Sequence, residues 1–235
     1  MKLFFGEINN HIAILNEEES HHFSKVLRGK EGDIVHVTDG KGNLAKCEIK
    51  SISKKSVEGE ILELKQNFKK KNYYLHLAIA PTKTMERLEF FLEKATEIGI
   101  DEITFLQTFH SERKNLKIER VEKIVQAATK QSLKAYLPKI NELTKFNDFI
   151  KQDFHQTEKL IAHCESTISR TPLKSILTNQ PKNILILIGP EGDFSAQEIS
   201  DANQHQFTGI SLGDQRFRTE TAALQAVFAV DWQLG

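Results

Sequence analysis

The fold of this chain is decided by two stretches, Ile184-Leu-Ile-Leu-Ile-Gly-Pro-Glu-Gly-Asp-Phe-Ser195 and Ser211-Leu-Gly-Asp-Gln-Arg-Phe-Arg-Thr-Glu-Thr-Ala-Ala-Leu224. Each predicts a buried strand that ends in a glycine-bearing loop, which then opens a helix. In an open α/β sheet, ligands bind at the carboxyl ends of the strands, where such loops lie side by side. The two stretches therefore predict one composite ligand pocket.

The first loop, Gly189–Ser195, runs into a capping box formed by Ser195 and Glu198, which predicts the start of a helix. It lacks the Gly-Lys-Ser/Thr sequence that grips nucleotide phosphates, and it is not GxGxxG, so neither a P-loop nor a dinucleotide-binding site is indicated. On spacing alone, an ordinary strand-to-helix turn explains this loop as well as a ligand site does.

The second loop carries Arg216, Arg218 and Glu220 where a helix begins. Cations are disfavoured at a helix N-terminus, so the arginines there require a partner such as an anion, RNA or Glu220. Pairing of a surface arginine with a neighbouring carboxylate is the alternative explanation. The helix that follows, Ala222 to Trp232, is apolar on nearly every side, which predicts burial in a core or against a partner chain.

Short alternating segments before residue 70 predict a small antiparallel β-barrel or sheet: Asp33–Thr38, Leu44–Ile49 and Val57–Leu64. Asn16 and Glu19 match a capping box that opens a helix running through Arg28 and ending at Gly29. A polar segment, Lys65–Asn72, is typical of a linker. We therefore expect two domains, residues 1–70 and 71–235.

Strands and helices alternate after the linker, and this alternation predicts a mostly parallel sheet with helices on both of its faces. The predicted strands are Tyr74–Ala80, Glu102–Leu106, Lys159–Ala162 and Ile184–Ile188, and the predicted helices are Glu86–Ile98 and Glu119–Lys134.

Composition narrows the possible classes of protein. The 235 residues include 32 Lys and Arg and 32 Asp and Glu, so nucleic-acid contact has to come from local basic clusters. We expect a cytoplasmic protein without a membrane segment or signal peptide, because no run approaches eighteen apolar residues and the first residues soon become polar. The spacing of Cys47 and Cys164 indicates neither a disulfide framework nor a metal site.

Two basic clusters are candidates for RNA contact, although a solvated surface explains either one. The first lies on the N-terminal helix and comprises His21, His22, Lys25, Arg28 and Lys30. The second comprises Lys83, Arg87, His110, Arg113, Lys114 and Lys117.

A series of motifs spans nearly the whole chain, and its order and spacing are far more specific than any one member. The motifs are Phe4-Phe5, His21-His-Phe-Ser-Lys-Val-Leu-Arg28 with Gly32-Asp33, Lys94-Ala-Thr-Glu-Ile-Gly99, Ser111-Glu-Arg113, Ala127-Ala-Thr-Lys-Gln-Ser132 with Leu137-Pro138, Ala162-His163, Ile188-Gly-Pro-Glu-Gly192, and Leu212-Gly213 with Arg218-Thr-Glu-Thr-Ala222. In this arrangement the chain resembles the RsmE family of ribosomal RNA methyltransferases, members of the knotted SPOUT class.

The resemblance implies an N-terminal PUA-like RNA-binding β-barrel over residues 1–70. It also implies an α/β SPOUT domain over residues 71–235, with a deep trefoil knot at about 160–235. Such knots are rare among protein folds, so this expectation comes from the resemblance alone. The implied activity is methylation of N3 of one uridine in the decoding region of 16S rRNA, free or in the assembled small subunit. S-adenosylmethionine is the implied methyl donor, and a homodimer is the implied assembly.

Site residues follow from the resemblance. Arg218 would stabilise the uracil oxygens, while Glu191 or Glu220 would accept a proton or only order Arg218, with the ordering role slightly favoured. The implied donor-binding residues are Ala162, His163, Ile188, Gly189, Gly192, Ser211, Leu212, Gly213, Phe217 and Thr221. The implied RNA-binding residues are His21, His22, Lys25, Arg28, Arg113 and Arg216.

Asp193 departs from the family pattern, since it stands where the family usually has a second glycine. Asp tolerates left-handed backbone better than most residues, so we expect the loop shape to be preserved. Two alternatives stand beside the main hypothesis: a knotted methyltransferase that acts on ribose 2′-OH or on tRNA, and a ribosome-assembly module that binds RNA without methylating it.

Overall fold

The computed structural model describes residues 2–53 and 56–235, which form two compact units. One unit comprises the chain up to Lys70 together with Thr129–Leu137. The other comprises Lys71–Ala128 and Pro138–Gly235.

The first unit contains a closed five-stranded barrel, as the alternating segments predicted. Its strands are β1 (Leu3–Asn9), β2 (Ile12–Leu15), β3 (Ile34–Thr38), β4 (Leu44–Ile52) and β5 (Val57–Lys65), joined in the order β1-β2-β5-β4-β3. Neighbouring strands are antiparallel except β1 and β3, which close the barrel in parallel. Alternate side chains point inward and form an apolar core that includes Phe4, Val35, Val37, Cys47 and Ile49.

A helix interrupts the barrel after β2: α1 (Glu17–His21) continues as a π-helical turn, His22–Val26. The Asn16 side chain accepts the Glu19 N–H at 2.8 Å, as predicted. The predicted return bond from Glu19 to the Asn16 amide is wrong. That amide donates to the Phe5 carbonyl, and the Glu19 carboxylate accepts from the Lys130 ammonium at 2.6 Å. The helical turn also ends earlier than predicted, at Val26, because Arg28 adopts a left-handed φ of 52°.

The segment Thr129–Leu137 belongs to the barrel unit through its backbone. The Thr38 hydroxyl donates to the Ala135 carbonyl at 3.2 Å, and Leu137 N–H donates to the Gly40 carbonyl at 2.9 Å. The turn between β3 and β4 therefore has partners about one hundred residues away along the chain.

The second unit contains a seven-stranded sheet in which every pairing is parallel, in agreement with the predicted α/β class. Its strands are β6 (Tyr74–Ile79), β7 (Glu102–Gln107), β8 (Lys139–Lys145), β9 (Glu158–Ala162), β10 (Thr171–Pro172), β11 (Asn183–Ile188) and β12 (Thr208–Ser211), in the order β10-β12-β9-β11-β6-β7-β8. The helices are α2 (Met85–Ile98), α3 (Ile118–Gln131), α4 (Phe146–Phe149), α5 (Leu173–Leu177), α6 (Ala196–Gln204) and α7 (Thr219–Leu234). Helix α3 ends three residues before the predicted Lys134, and Leu133 has a left-handed φ of 53°.

Helix α7 packs against α2 and α5, but only one of its faces is covered in the single chain. Ala223, Ala226 and Val227 are buried on that face. Phe228 and Trp232 are exposed on the other, with their rings stacked at a centroid distance of 6.0 Å. Burial on every side within the chain's own core is therefore wrong, and burial of the exposed face against a partner chain stays a prediction.

A polar cluster occupies the amino ends of three neighbouring strands, β6, β7 and β8. The Glu102 carboxylate accepts hydrogen bonds from Tyr74 Oη at 2.7 Å, Lys139 Nζ at 2.9 Å and Asn141 Nδ2 at 2.6 Å. His76 is buried beside it, with Nε2 2.7 Å from Thr104 Oγ1. The polar groups of this cluster are thus satisfied within the protein.

Burial lowers the pKa of His76 to about 4. Burial also opposes ionisation of Glu102, but the neighbouring His76 and the hydrogen bonds from Asn141, Lys139 and Tyr74 outweigh it and hold the pKa of Glu102 at about 2. Because His76 is uncharged at neutral pH, the Glu102 carboxylate is stabilised there by the three hydrogen bonds.

No helix of the described residues has the length and apolarity needed to span a bilayer. Cys47, which is buried, and Cys164, which is exposed, are both free thiols.

Candidate functional site

The carboxyl ends of β12, β9 and β11 lie next to one another. Ala162 at the end of β9 pairs with Ile188 on one side and with Ile210 on the other. The loops that follow these strands therefore leave the sheet side by side, starting at His163, Gly189 and Leu212. Strand register thus brings together the predicted residues of three separate chain segments.

His163 is the first residue after β9, and it is buried with 4% of its surface exposed. Neither ring nitrogen has a hydrogen-bond partner among the described residues. Burial lowers the pKa of the imidazole, with the nearby Asp193 carboxylate opposing the shift. Both ring nitrogens are themselves buried, so the imidazole is a polar group that the protein encloses without a hydrogen bond.

Gly209 on β12 makes room for this imidazole. A Cβ atom at position 209 would lie 2.7 Å from His163 Nε2, closer than real contacts allow. The absence of a side chain at 209 is therefore what allows the ring to pack against β12.

Asp193 ties two of the loops together. Its Oδ2 accepts the Cys164 N–H at 2.6 Å, and its Oδ1 accepts the Phe194 N–H at 2.8 Å. The residue has a left-handed φ of 62°, a conformation that Asp tolerates better than most residues. The Asp193 carboxylate thus links the loop after β9 to the loop after β11.

Helix α6 begins at the end of the Gly189–Ser195 loop with the predicted capping box. Ser195 Oγ accepts the Glu198 N–H at 3.2 Å, and Glu198 Oε2 accepts the Ser195 N–H at 2.9 Å. Glu198 Oε1 also accepts the Phe109 N–H at 2.8 Å, a contact across the sheet that the local pattern did not reveal.

The third loop follows β12. Gly213 has a φ of 130°, a conformation open to glycine, and no atom lies within 4 Å of the position of its missing Cβ. Ser211 Oγ closes the turn by accepting the Gly213 N–H at 3.2 Å. Phe217 is half-buried, and Arg218 is exposed immediately before α7.

The two candidate carboxylates contact residues other than Arg218. Glu220 is buried, and its Oε1 lies 3.8 Å from Nε of Arg87 at the start of α2. Its Oε2 has no hydrogen-bond partner among the described residues. Glu191 is exposed, and its Oε1 accepts the Lys83 N–H at 3.0 Å. Both acids therefore tie the site loops to the segment that follows β6.

Arg113 contacts the same segment. Its guanidinium donates to the Thr82 carbonyl at 3.1 Å and to the Lys83 carbonyl at 2.8 Å. Lys83 Nζ pairs with Glu112 at 2.9 Å. Three members of the second basic cluster therefore have partners within the chain: Lys83 and Arg113 in the loops at the carboxyl edge, and Arg87 in the first turn of α7.

The other predicted site residues are placed as follows. Thr221 and Arg216 are exposed on either side of the start of α7. His21, Lys25 and Arg28 are exposed on the barrel unit, where His22 is half-buried with Nδ1 3.8 Å from Glu19 Oε2.

A separate surface pocket of about 440 Å³ lies at the amino edge of the sheet and is lined by polar residues that include Thr157, Lys182 and Gln206. It contains none of the predicted site residues. Within residues 2–53 and 56–235, no group of three or more His, Cys, Asp or Glu side chains is placed to hold a metal ion.

Comparison with protein families gives two matches along the chain. Residues 69–231 match the RNA methyltransferase domain family, and residues 15–62 match the RNA methyltransferase PUA domain family. The two matches fall on the sheet-containing and barrel-containing parts of the chain, respectively.

Individual proteins match over nearly the whole length. The ribosomal RNA small subunit methyltransferase E of Mesomycoplasma hyopneumoniae is 31% identical, with 95% of each chain covered. A probable rRNA-methyltransferase from Porphyromonas gingivalis is 35% identical and superimposes with a TM-score of 0.86, covering 100% of this chain and 98% of that one. A Legionella pneumophila protein whose structure contains the cofactor SAM is 27% identical, with a TM-score of 0.83 and coverage of 97% and 95%.

Proposed function

This chain belongs to the ribosomal RNA small subunit methyltransferase E family, and from that premise we propose that it transfers a methyl group from S-adenosylmethionine to N3 of one uridine in the decoding region of 16S rRNA. The observation that carries the proposal is the set of three loops at the carboxyl ends of β9, β11 and β12, with the unpartnered imidazole of His163 among them.

The donor supplies a methyl group that is already activated on a sulfonium, so the protein needs no covalent nucleophile. The remaining tasks are to hold the donor, to place the uracil N3 in line behind the methyl group, and to help remove the N3 proton. The loops at the carboxyl edge are suited to the first task, because glycines let backbone N–H and C=O groups approach a ligand closely.

Residues from all three loops would hold the donor. His163 would contribute from the first loop, which begins at the end of β9. The half-buried Phe217 would pack against the donor from the third loop. The other donor-binding residues would be Ala162, Ile188, Gly189, Gly192, Ser211, Leu212, Gly213 and Thr221.

Arg218 would stabilise the uracil oxygens as negative charge develops during loss of the N3 proton. Its guanidinium is exposed next to the donor loops and is free to meet a substrate from solvent. Glu191 and Glu220 contact Lys83 and Arg87, which supports an ordering role for the two acids over that of proton acceptor. The two acids would therefore order the segment after β6 rather than Arg218 itself.

RNA contact outside the reaction centre would involve both units. His21, His22, Lys25 and Arg28 on the barrel would hold rRNA phosphates, as would Arg216 beside Arg218. Arg113 donates hydrogen bonds to the Thr82 and Lys83 carbonyls, so its role would be to shape the loop that faces the RNA.

We further propose that the protein works as a homodimer in the cytoplasm and that residues 160–235 form a deep trefoil knot. The exposed stacked pair Phe228 and Trp232 on α7 supports a subunit contact, since a second chain would cover this apolar face. The domains would correspond to residues 1–70 and 71–235, with Thr129–Leu137 returning to the barrel unit.

Mass spectrometry of 16S rRNA from cells with and without the protein tests the proposed activity. We expect N3-methyluridine to disappear when the protein is absent, and unchanged N3-methyluridine would overturn the assignment. A missing ribose 2′-O-methyl group or a missing tRNA modification would identify a different substrate.

Calorimetric titration with S-adenosylmethionine separates an enzyme from a ribosome-assembly module that has lost catalysis. We expect saturable binding at one site per chain. Binding of RNA without any binding of the donor would favour the module.

A further inference from the structure

Phe109 is an exposed aromatic ring on a fixed backbone at the carboxyl edge of the parallel sheet. Its side chain is 78% exposed, in the loop that follows β7. A single exposed phenylalanine is common on protein surfaces and carries no conclusion by itself. What distinguishes Phe109 is how the surrounding groups hold it.

The backbone on both sides of Phe109 is fixed by hydrogen bonds. The Phe109 N–H donates to Oε1 of Glu198, a buried carboxylate that also caps α6. Thr108 and Ser111 close the turn, with the Thr108 N–H donating to Ser111 Oγ at 2.9 Å. Because the backbone is already fixed, the turn itself does not have to be ordered when a ligand covers the ring.

The neighbouring residue connects this turn to the proposed donor site. His110 Nδ1 lies 3.0 Å from the Asp193 carbonyl, and its ring packs edge-on against the Phe109 ring at a centroid distance of 5.0 Å. A Cβ atom at Gly192 would lie 3.0 Å from His110 Cβ, so the turn is in close contact with the loop that follows β11. The exposed ring therefore stands beside the loop that follows β11, one of the three loops proposed to hold the donor.

We propose that Phe109 is a positioning residue that stacks against an RNA base at the rim of the site, holding the target uracil or its neighbour for methyl transfer. This inference rests on the proposed function, since it presupposes an RNA substrate at the carboxyl edge. Proteins bind unpaired bases by stacking them on exposed aromatic rings, and such stacking tolerates any base because each has a π-face. A uracil whose N3 reacts has to leave its base pair, which is the state that such a ring binds.

The test compares Phe109→Ala and Phe109→Trp with a matched control, Phe90→Ala, which removes another exposed phenylalanine in α2. The substrates are small ribosomal subunits and naked 16S rRNA from cells lacking the protein. For Phe109→Ala we expect kcat/KM for RNA and direct RNA affinity in filter binding to fall about tenfold, as the loss of one base stack predicts. Phe109→Trp should restore both values to within about twofold.

Three measurements distinguish the loss of base stacking from a change in the structure of the protein. The affinity for S-adenosylmethionine in calorimetry, the thermal unfolding midpoint and the oligomeric state in light scattering should equal those of the wild type in all three variants. Phe90→Ala should leave kcat/KM and RNA affinity unchanged.

The inference is overturned if Phe109→Ala retains wild-type kcat/KM and RNA affinity, or if Phe90→Ala loses as much. It is also overturned if Phe109→Ala changes the oligomeric state, which would assign the ring to a subunit contact. A wild-type protein that binds RNA but methylates none would contradict the proposed function instead, and filter binding would still decide the role of Phe109.

Discussion

Two buried histidines mark opposite edges of the same parallel sheet. His76 at the amino edge has Nε2 2.7 Å from Thr104 Oγ1, next to a Glu102 carboxylate that accepts three hydrogen bonds. His163 at the carboxyl edge is equally buried, yet neither of its ring nitrogens has a partner among the described residues. Burial lowers the pKa of both imidazoles.

The contrast shows what each edge contributes. A satisfied polar cluster rigidifies the structure, whereas a buried polar group without a partner reduces stability until a ligand completes it. The amino edge is therefore expected to support the fold, and the carboxyl edge is expected to support binding. Substitutions at the two edges should separate stability from activity.

The largest expected effect is at the carboxyl edge, where Arg218→Ala should abolish most of the turnover. Removal of one positioned donor to a developing negative charge lowers kcat by about 10²–10³ in comparable sites. Donor affinity in calorimetry should stay at the wild-type value, since the exposed guanidinium is assigned to the uracil. Wild-type turnover in Arg218→Ala would remove this residue from the chemistry.

At the amino edge, Glu102→Ala should act on stability alone. It removes three hydrogen bonds to one charged acceptor, two of them from exposed donors, so the free energy of unfolding should fall by about 2 kcal/mol. Urea unfolding at pH 7 measures the change. The affinity of the folded variant for S-adenosylmethionine should equal that of the wild type. Glu97→Gln, which breaks an exposed ion pair with Lys94, serves as the control and should leave the urea midpoint unchanged. A loss of donor affinity in folded Glu102→Ala would contradict the division between the edges.

The same cluster predicts a loss of stability in acid. The pKa of His76 is lowered to about 4 in the folded protein, so between pH 6.5 and pH 4 the unfolded state takes up a proton that the folded state does not. Stability should therefore fall as the pH is lowered through this range, by at most about 1.4 kcal/mol per pH unit from His76. His76→Gln should flatten the pH dependence of the urea midpoint over this window. An equally steep dependence in His76→Gln would assign the effect to other groups.

The smallest expected effect concerns the link between two donor loops. Asp193→Gly removes the carboxylate that accepts the Cys164 N–H, and the affinity for S-adenosylmethionine should fall about fivefold, the worth of one hydrogen bond. Asp193→Asn keeps an acceptor oxygen and tolerates the left-handed backbone, so it should retain most of the affinity. Calorimetry measures both values. Wild-type affinity in Asp193→Gly would show that the loops hold their shape without the link.

Local patterns predicted the features that depend on neighbouring residues. Period-two alternation indicated the barrel strands, and the buried segment Ile184–Ile188 indicated a parallel sheet strand. The capping box of Ser195 and Glu198 formed as predicted, because both partners lie within one turn of the chain.

The errors arose where distant groups competed with local ones. Glu19 matched the same capping pattern, but its carboxylate contacts Lys130, which lies 111 residues further along the chain. Glu220 meets Arg87 in the same way, so sequence spacing did not reveal its partner. Two further contacts, Glu198 with Phe109 and Gly209 with His163, depend on the order of the strands in the sheet. That order could not be read from the spacing of residues in the sequence.

The most direct test of the account is methylation in vitro by the purified protein. Small ribosomal subunits from cells lacking the protein are incubated with S-adenosylmethionine carrying a labelled methyl group, and the digested nucleosides are analysed by mass spectrometry. We expect one labelled N3-methyluridine per subunit with the wild-type protein and almost none with Arg218→Ala. Label on a ribose hydroxyl, or no label with a folded protein that binds the donor, would contradict it.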